Sequence, residues 1–274
     1  MNYRTAILII TLLYTANINA KESLIFARAP QLSPAVISKT WTPFVKHLSE
    51  VTGTNISLRV YSSRLDFEQD ISKGKVALFF GNPAYGVIAH KKHGYVPIIR
   101  SNRKLLEGII VTRKGNGINS IEQLSGKTIS FPAKNSFAAS LLIRYYLDTK
   151  EGITYNEKYA GSHDNSYRNV LVGTATASAG VIRTLERENE ALRNQLQVIY
   201  TTPGIKSHPV MVHPSVAKTT RQAIQSEILK LSETEEGKNL LKSIKLQNPV
   251  SASYEDDYKQ IEPFVLKAYQ HLLD

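Results

Sequence analysis

The segment Tyr159-Ala160-Gly161-Ser162-His163-Asp164 gathers residue types that hold an anion. Ser162 suits a helix N-cap and Asp164 the first turn behind it. Gly161 lets the backbone come close to whatever lies in front of it. A helix start carries N–H groups without intrahelical partners, and a hydroxyl and an imidazole beside them make a ready anion site. The same residues also read as an ordinary capped helix with a surface histidine. They do not read as a hydrolase triad, because nucleophile, base and orienter come from separate segments there. No catalytic residue is therefore expected. His90 and His93 sit three apart on a predicted helix, too few ligands for a metal, and with Lys91 and Lys92 they read as a solvated helix end. Neither a metal nor a cofactor is expected. Tyr85 follows a Gly-Asn-Pro turn at a strand end, where it either faces a ligand or serves as a core or hinge residue.

Strand-length apolar runs alternate with helical patterns over most of the chain. Strands are predicted over 24–29, 56–60, 76–80, 96–99, 127–131, 157–159, 177–182, 198–202 and 209–212. The first helix opens at Ser33-Pro34, turns Ile37, Trp41, Phe44, Val45 and Leu48 to one side, and stops at Gly53. Further helices are expected over 65–73, up to His93 before Gly94, over 137–149, over 165–171 and over 184–197. Three more close the chain. The 184–197 helix carries Leu185, Leu192 and Leu196 in a narrow stripe among many charges. That pattern suits a solvated surface helix or, alternatively, a docking face. Repeated strand–helix order predicts an α/β fold with mostly parallel sheets covered by helices. Turn signals at Gly115-Asn116-Gly117 and Pro203-Gly204 place two crossings between lobes, near 108–114 and 199–210. Lobe one then comprises 21–110 and 201–274, and lobe two 111–200. In such folds ligands lie at the carboxyl ends of strands and between lobes.

Residues 1–20 have the form of a cleavable signal peptide: one charge at Arg4, an apolar run from Ala6 to Leu13, and a small-residue end at Ala20. The run is too short to span a bilayer. The chain has no Cys, hence no disulfide and no acyl-anchor cysteine. A soluble, periplasmic protein is expected. The formal net charge is +11. The basic residues are scattered and are not interleaved with aromatics, which argues against nucleic acid and for a small anionic ligand or an acidic partner surface.

The order of motifs resembles the periplasmic phosphonate-binding proteins of ABC importers. The resemblance runs from Pro30-Gln31-Leu32-Ser33-Pro34 and Trp41-Thr42-Pro43-Phe44, through Phe80-Gly81-Asn82-Pro83-Ala84-Tyr85, to Ile118–Lys127, Phe131–Ser136, Gly161–Asp164 and Glu235–Leu241. It implies a type II periplasmic-binding-protein fold, two lobes closing around a tetrahedral oxyanion that neutral donors and helix N-termini hold. On this likeness Ser136 and His163 meet the phosphonate, with Ser162 beside them. Arg64 stands where the family has a Tyr, and an Arg serves an anion bidentately with full charge. A second family Tyr is replaced at Leu106 or Glu107. The family's hydroxyl run becomes Ser136-Phe137-Ala138, and Lys75-Val76-Ala77-Leu78-Phe79 lacks the usual Asp. The positions that meet an amine in aminophosphonate-binding members match Arg183 and His208, neither of which accepts an ammonium, so 2-aminoethylphosphonate is not the expected ligand.

The expected protein is thus a non-enzymatic, monomeric solute-binding protein for a phosphonate- or phosphate-like oxyanion, partnered by a membrane permease. The alternative is the same fold acting on a sensor kinase. A secreted enzyme is the least supported reading.

Overall fold

The computed structural model describes residues 23–273 apart from Lys104. The signal-peptide reading of residues 1–20 lies outside them. Eleven strands, β1 (Ser23–Arg28), β2 (Asn55–Val60), β3 (Leu78–Phe80), β4 (Val96–Ser101), β5 (Gly108–Arg113), β6 (Thr128–Phe131), β7 (Asn156–Tyr159), β8 (Ala177–Val181), β9 (Leu196–Thr201), β10 (Pro209–Val212) and β11 (Pro249–Ser251), form two sheets among the described residues. The order is β11-β4-β10-β3-β1-β2 in one and β7-β6-β8-β5-β9 in the other. The helices that cover them are α1 (Pro34–Thr52), α2 (Arg64–Ser72), α3 (Pro83–His93), α4 (Ile143–Tyr146), α5 (His163–Leu171), α6 (Ile182–Glu186), α7 (Glu190–Arg193), α8 (Lys218–Lys230), α9 (Glu235–Ser243), α10 (Tyr254–Asp257) and α11 (Glu262–Ala268).

Side chains alternate across each strand, so each sheet has two apolar faces. Leu24 and Phe26 of β1, Leu78 and Phe80 of β3, and Val210 and Val212 of β10 point to one face, where α1 brings Ile37, Trp41, Phe44 and Leu48. Ala27, Phe79 and Met211 point to the other, beneath α2, α3 and the C-terminal helices. In the second sheet Ile110 joins Ile129 and Phe131 on one face, while Ile109 and Val111 join Tyr167 and Val170 on the other. Gly53 and Gly94 close α1 and α3 in the left-handed region, φ 65° and 69°, where glycine carries no Cβ penalty.

The two helix-covered α/β sheets are as expected, but they are mixed rather than mostly parallel. β1 pairs in parallel with β2 and β3, and β6 with β7 and β8. The strands next to each crossing run the other way: β10 against β3 and β4, and β5 against β8 and β9. A strand that enters a sheet from the other lobe arrives from the opposite end, so it has no right-handed helical crossover to make it parallel.

Three local expectations need correction. The 184–197 helix is two short helices and a strand, because the Asn189 side chain accepts from Leu192 N at 2.8 Å and starts a new helix, and β9 already begins at Leu196. Its leucines do not form a surface stripe: Leu185, Leu192 and Leu196 are buried with Tyr167. The chain does not close on helices alone, since β11 adds an edge strand beside β4, a place where Pro249 is tolerated. His90 and His93 are not a solvated helix end either. The His90 ring stacks on Tyr254 and its Nδ1 lies 2.8 Å from the Tyr95 carbonyl, while His93 Nε2 lies 2.7 Å from that of Ser72. Among the described residues no group of His, Cys, Asp and Glu could hold a metal ion.

Candidate anion-binding crevice between the lobes

On the lobe-two side the site is built on α5. Gly161 has φ 81°, a turn that β-carbon-bearing residues resist, and it delivers Ser162 in extended geometry as N-cap. Ser162 Oγ accepts from Asn165 N at 3.2 Å, and His163 is the first helical residue. The His163 ring is held from behind: Nδ1 lies 3.3 Å from Thr184 Oγ1, which in turn meets Tyr167 Oη at 2.6 Å and Val181 O at 2.7 Å. Burial depresses the His163 pKa, and Arg187 nearby depresses it further, against a smaller opposing effect of Asp164.

Ser136 starts the helical segment 137–151. Its carbonyl accepts from Ser140 N and Leu141 N, both at 2.9 Å, so the first turn is widened to the i→i+5 pattern. Its hydroxyl makes no capping bond and has no hydrogen-bond partner among the described residues, on a half-buried residue. Arg64, first residue of α2 and exposed, reaches across from lobe one to donate to the Asn135 carbonyl at 3.4 Å. It therefore stands against the Ser136 loop. Phe137, where the resemblance has a hydroxyl, instead packs its ring 5.8 Å from that of Phe264.

Tyr85 is the core residue of its two readings. It is 3 % exposed, packs edge-on against Phe67 and Tyr269, and its hydroxyl donates to Glu68 at 2.7 Å. A strongly raised pKa, caused first by burial and then by Glu68, keeps it protonated.

His208 is linked to Arg28 and Gln31, not singled out from sequence, and lies within electrostatic reach of Arg183 and of Lys245, a third such residue. His208 is held neutral, its pKa pushed down to about 3 by burial and then by Arg28, Arg183 and Lys245. Gln31 links it to Arg28. The Arg28 guanidinium donates to Gln31 Oε1 at 3.0 Å, so the Gln31 amide nitrogen faces His208 Nε2 at 3.1 Å as donor. That assignment makes Nε2 the acceptor and leaves the proton of His208 on Nδ1. Arg28 itself ends β1, is 3 % exposed, and lies over the rings of Trp41 and Phe80 at 5.3 and 5.0 Å. Burial lowers its pKa to about 10. The sequence signal for it was available: a charged residue closing an apolar strand at its carboxyl end, the edge where ligands lie.

Lys245 follows α9. Lys245 N bonds Lys242 O and Leu246 N bonds Leu241 O, a Schellman motif whose left-handed position, usually glycine, holds a lysine at φ 62°. Its pKa is lowered by burial and then by Arg183, Arg28, Arg187 and Arg103. Arg183 of α6 and the lobe-one residues Arg28, His208 and Lys245 are thus within electrostatic reach of one another.

A separate cavity of about 460 Å³ lies between the 137–151 segment and the C-terminal helices, lined by Glu68, Asn135, Arg144, Tyr145, Phe264 and Tyr269 among others. It contains none of the seven residues singled out from sequence.

Two mixed sheets, each covered by helices and joined by chain crossings, are the architecture of a two-lobed binding protein. The chain belongs to the family described as ABC transporter, phosphonate, periplasmic substrate-binding protein, whose model matches residues 26–258. It is similar to the phosphonates-binding periplasmic protein of Escherichia coli (strain K12), 22% identical over 249 residues that cover 85% of this chain and 74% of that one. Among solved structures it resembles PhnD1 of Prochlorococcus marinus (MIT 9301) in complex with methylphosphonate, with TM-score 0.69 and 19% identity over 89% of this chain and 97% of that one. It also resembles the binding-protein component of an ABC phosphonate transporter of Pseudomonas aeruginosa, with TM-score 0.66 and 16% identity over 92% and 88%. At these identities the structural likenesses speak to the fold.

Proposed function

We propose that this chain captures a phosphonate- or phosphate-like oxyanion between its lobes in the periplasm and delivers it to the membrane permease of an ABC importer. We take lobe one as residues 21–110 with 201–274 and lobe two as 111–200; the two sheets support this division except at its bounds, where β5 and β9 straddle it and belong to the second sheet. The oxyanion end of the ligand sits among the Ser136 hydroxyl, the start of α5 at Ser162 and His163, and the guanidinium of Arg64. One observation carries the reading: the family match over residues 26–258 spans both lobes and every residue of this donor set. The donors suit the chemistry, because hydroxyl and N–H groups with one guanidinium orient on tetrahedral oxygens and include no carboxylate to pair with a cation. Among the described residues no nucleophile–base pair is seen beside them, which favours binding over turnover.

Calorimetry and thermal shift with methylphosphonate, inorganic phosphate, phosphite and sulfate test the proposal. At least one of them should bind and raise Tm through mass action, with His163→Ala and Ser136→Ala weakening it. Failure of all four to bind would overturn the oxyanion reading. Pull-down of a permease rather than a histidine kinase separates import from sensing.

A further inference from the structure

Arg28 carries a charge into the interior of lobe one without a counter-ion. Its residue is 3 % exposed, its Nε has no hydrogen-bond partner, and among the described residues no carboxylate lies within ion-pair distance of it. Burying an ionised group is unfavourable unless it is paired. The remaining contacts, the Ala29 carbonyl, Gln31 and two aromatic faces, satisfy the guanidinium only in part. The charged groups whose electrostatics reach the neighbouring His208 and Lys245 are positive as well. Arg28, Arg183 and Lys245 act on His208, and Arg183, Arg28, Arg187 and Arg103 act on Lys245, with no acid among the groups acting on either. His208 answers by giving up its proton. Lys245 occupies a left-handed backbone position that disfavours it. A buried unpaired cation, a neutralised histidine and a strained lysine together mark an anion seat.

This seat is distinct from the donor set around Ser136. It connects to the His163 end through consecutive residues of α6: Thr184 meets His163, and Arg183 acts on His208. We infer that the Arg28–Arg183–His208–Lys245 cluster holds a second anionic group of the ligand, so that the captured molecule is a phosphonate-type oxyanion bearing a carboxylate or a second phosphoryl group at its far end. The inference rests on the oxyanion reading of the Ser136–His163 end. In it, Arg28 and Lys245 supply charge from lobe one, Arg183 supplies charge from lobe two, and the Nδ1–H of neutral His208 is a further donor.

Calorimetry on the mature chain decides this with four ligands of graded far ends: methylphosphonate, phosphonoacetate, methylenediphosphonate and 2-aminoethylphosphonate. One or both of the two-headed anions should bind at least about tenfold tighter than methylphosphonate, and 2-aminoethylphosphonate should bind more weakly than methylphosphonate. Which two-headed ligand gains identifies the second group as carboxylate or phosphoryl. In Arg183→Ala, an exposed position that should fold normally, the ratio of two-headed to methylphosphonate affinity should collapse toward one, and Arg28→Met should do the same. Lys46→Ala, an exposed charge on α1 paired with Glu50, should keep it. Equal affinity for methylphosphonate and both two-headed ligands, or preference for the aminophosphonate, overturns the second seat while leaving the oxyanion end standing. If methylphosphonate, phosphate and both two-headed anions all fail to bind, the oxyanion reading falls and the second seat falls with it.

Discussion

Arg28 and His208 lie against the same aromatic ring. The guanidinium carbon of Arg28 is 5.0 Å from the Phe80 centroid, and the His208 ring centroid is 5.7 Å from it. Both side chains can carry charge, and Gln31 joins them by hydrogen bonds. Only one of them keeps its charge. Arg28, whose pKa stays near 10 despite burial, remains ionised, and His208 becomes the neutral partner.

That division makes stability depend on pH in a definite direction. The unfolded His208 titrates near its ordinary value of about 6.5, whereas the folded pKa is about 3. Above the unfolded value the two states bind equal numbers of protons. Below it the unfolded chain takes up a proton that the folded chain refuses, so stability falls as pH drops. The slope from this one group is at most about 1.4 kcal/mol per pH unit. His163 and His213, also depressed, add with the same sign. Urea titrations from pH 7 to pH 4 should therefore show a steeper loss for wild type than for His208→Gln. Parallel profiles would mean that His208 is not held neutral.

Lys245 offers a separation of stability from function. Its φ of 62° in the α9 Schellman motif costs a non-glycine residue about 1 kcal/mol. Lys245→Gly should raise stability by up to about 1 kcal/mol by relieving that strain, and should lower affinity for the anionic ligand. Chemical denaturation and calorimetry on the same variant check both halves. A destabilised Lys245→Gly would show that the lysine contributes packing rather than charge.

The elements were legible because their signals are local. Apolar runs of strand length mark β1 and β10, the spacing of Ile37, Trp41, Phe44 and Leu48 marks α1, and Gly53 and Gly94 mark helix ends. The Ser162–His163 helix start was legible for the same reason, since cap chemistry is written in adjacent residues. Arg28 and Lys245 were not, because an unpaired burial is a property of what surrounds a residue, and the groups around His208 come from β1, the turn after it, α6 and the end of α9. The break at Asn189 was missed because leucines at near-helical spacing read equally as one helix or as core contacts of shorter pieces. Tyr85 is ambiguous in the sequence because its hydrogen bond to Glu68 is a contact between separate helices.

Gly180 in β8 is a packing requirement rather than a turn. A β-carbon there would stand 2.1 Å from Tyr167 Oη and 2.7 Å from its Cζ. Tyr167 is fully buried and cannot swing away. Gly180→Ala should destabilise lobe two by about 1–3 kcal/mol, the range for overpacked cores, read as a lowered urea midpoint with unchanged m-value. An unchanged midpoint would show that the tyrosine has room to move.

The same tyrosine bears on the site through Thr184. Thr184 Oγ1 is shared by Tyr167 Oη, Val181 O and His163 Nδ1, so one buried hydroxyl fixes the tilt of the imidazole. Thr184→Val keeps the shape and removes the hydroxyl, so Tyr167 Oη and Val181 O keep only their long 3.4 Å bond to each other and Val181 N loses its contact with the Thr184 oxygen. The stability cost is expected at about 1–3 kcal/mol. The functional cost comes from a different source. An imidazole free to rotate loses orientation toward the ligand, and affinity for methylphosphonate should fall several-fold even at temperatures where the variant is fully folded. Thr184→Ser, which keeps the oxygen, should restore both. Calorimetry at low temperature, paired with long-range ¹⁵N–¹H spectra of the His163 ring, separates the two effects. Full affinity in a folded Thr184→Val would remove His163 orientation from the binding mechanism and leave the hydroxyl a purely structural link between α5 and β8.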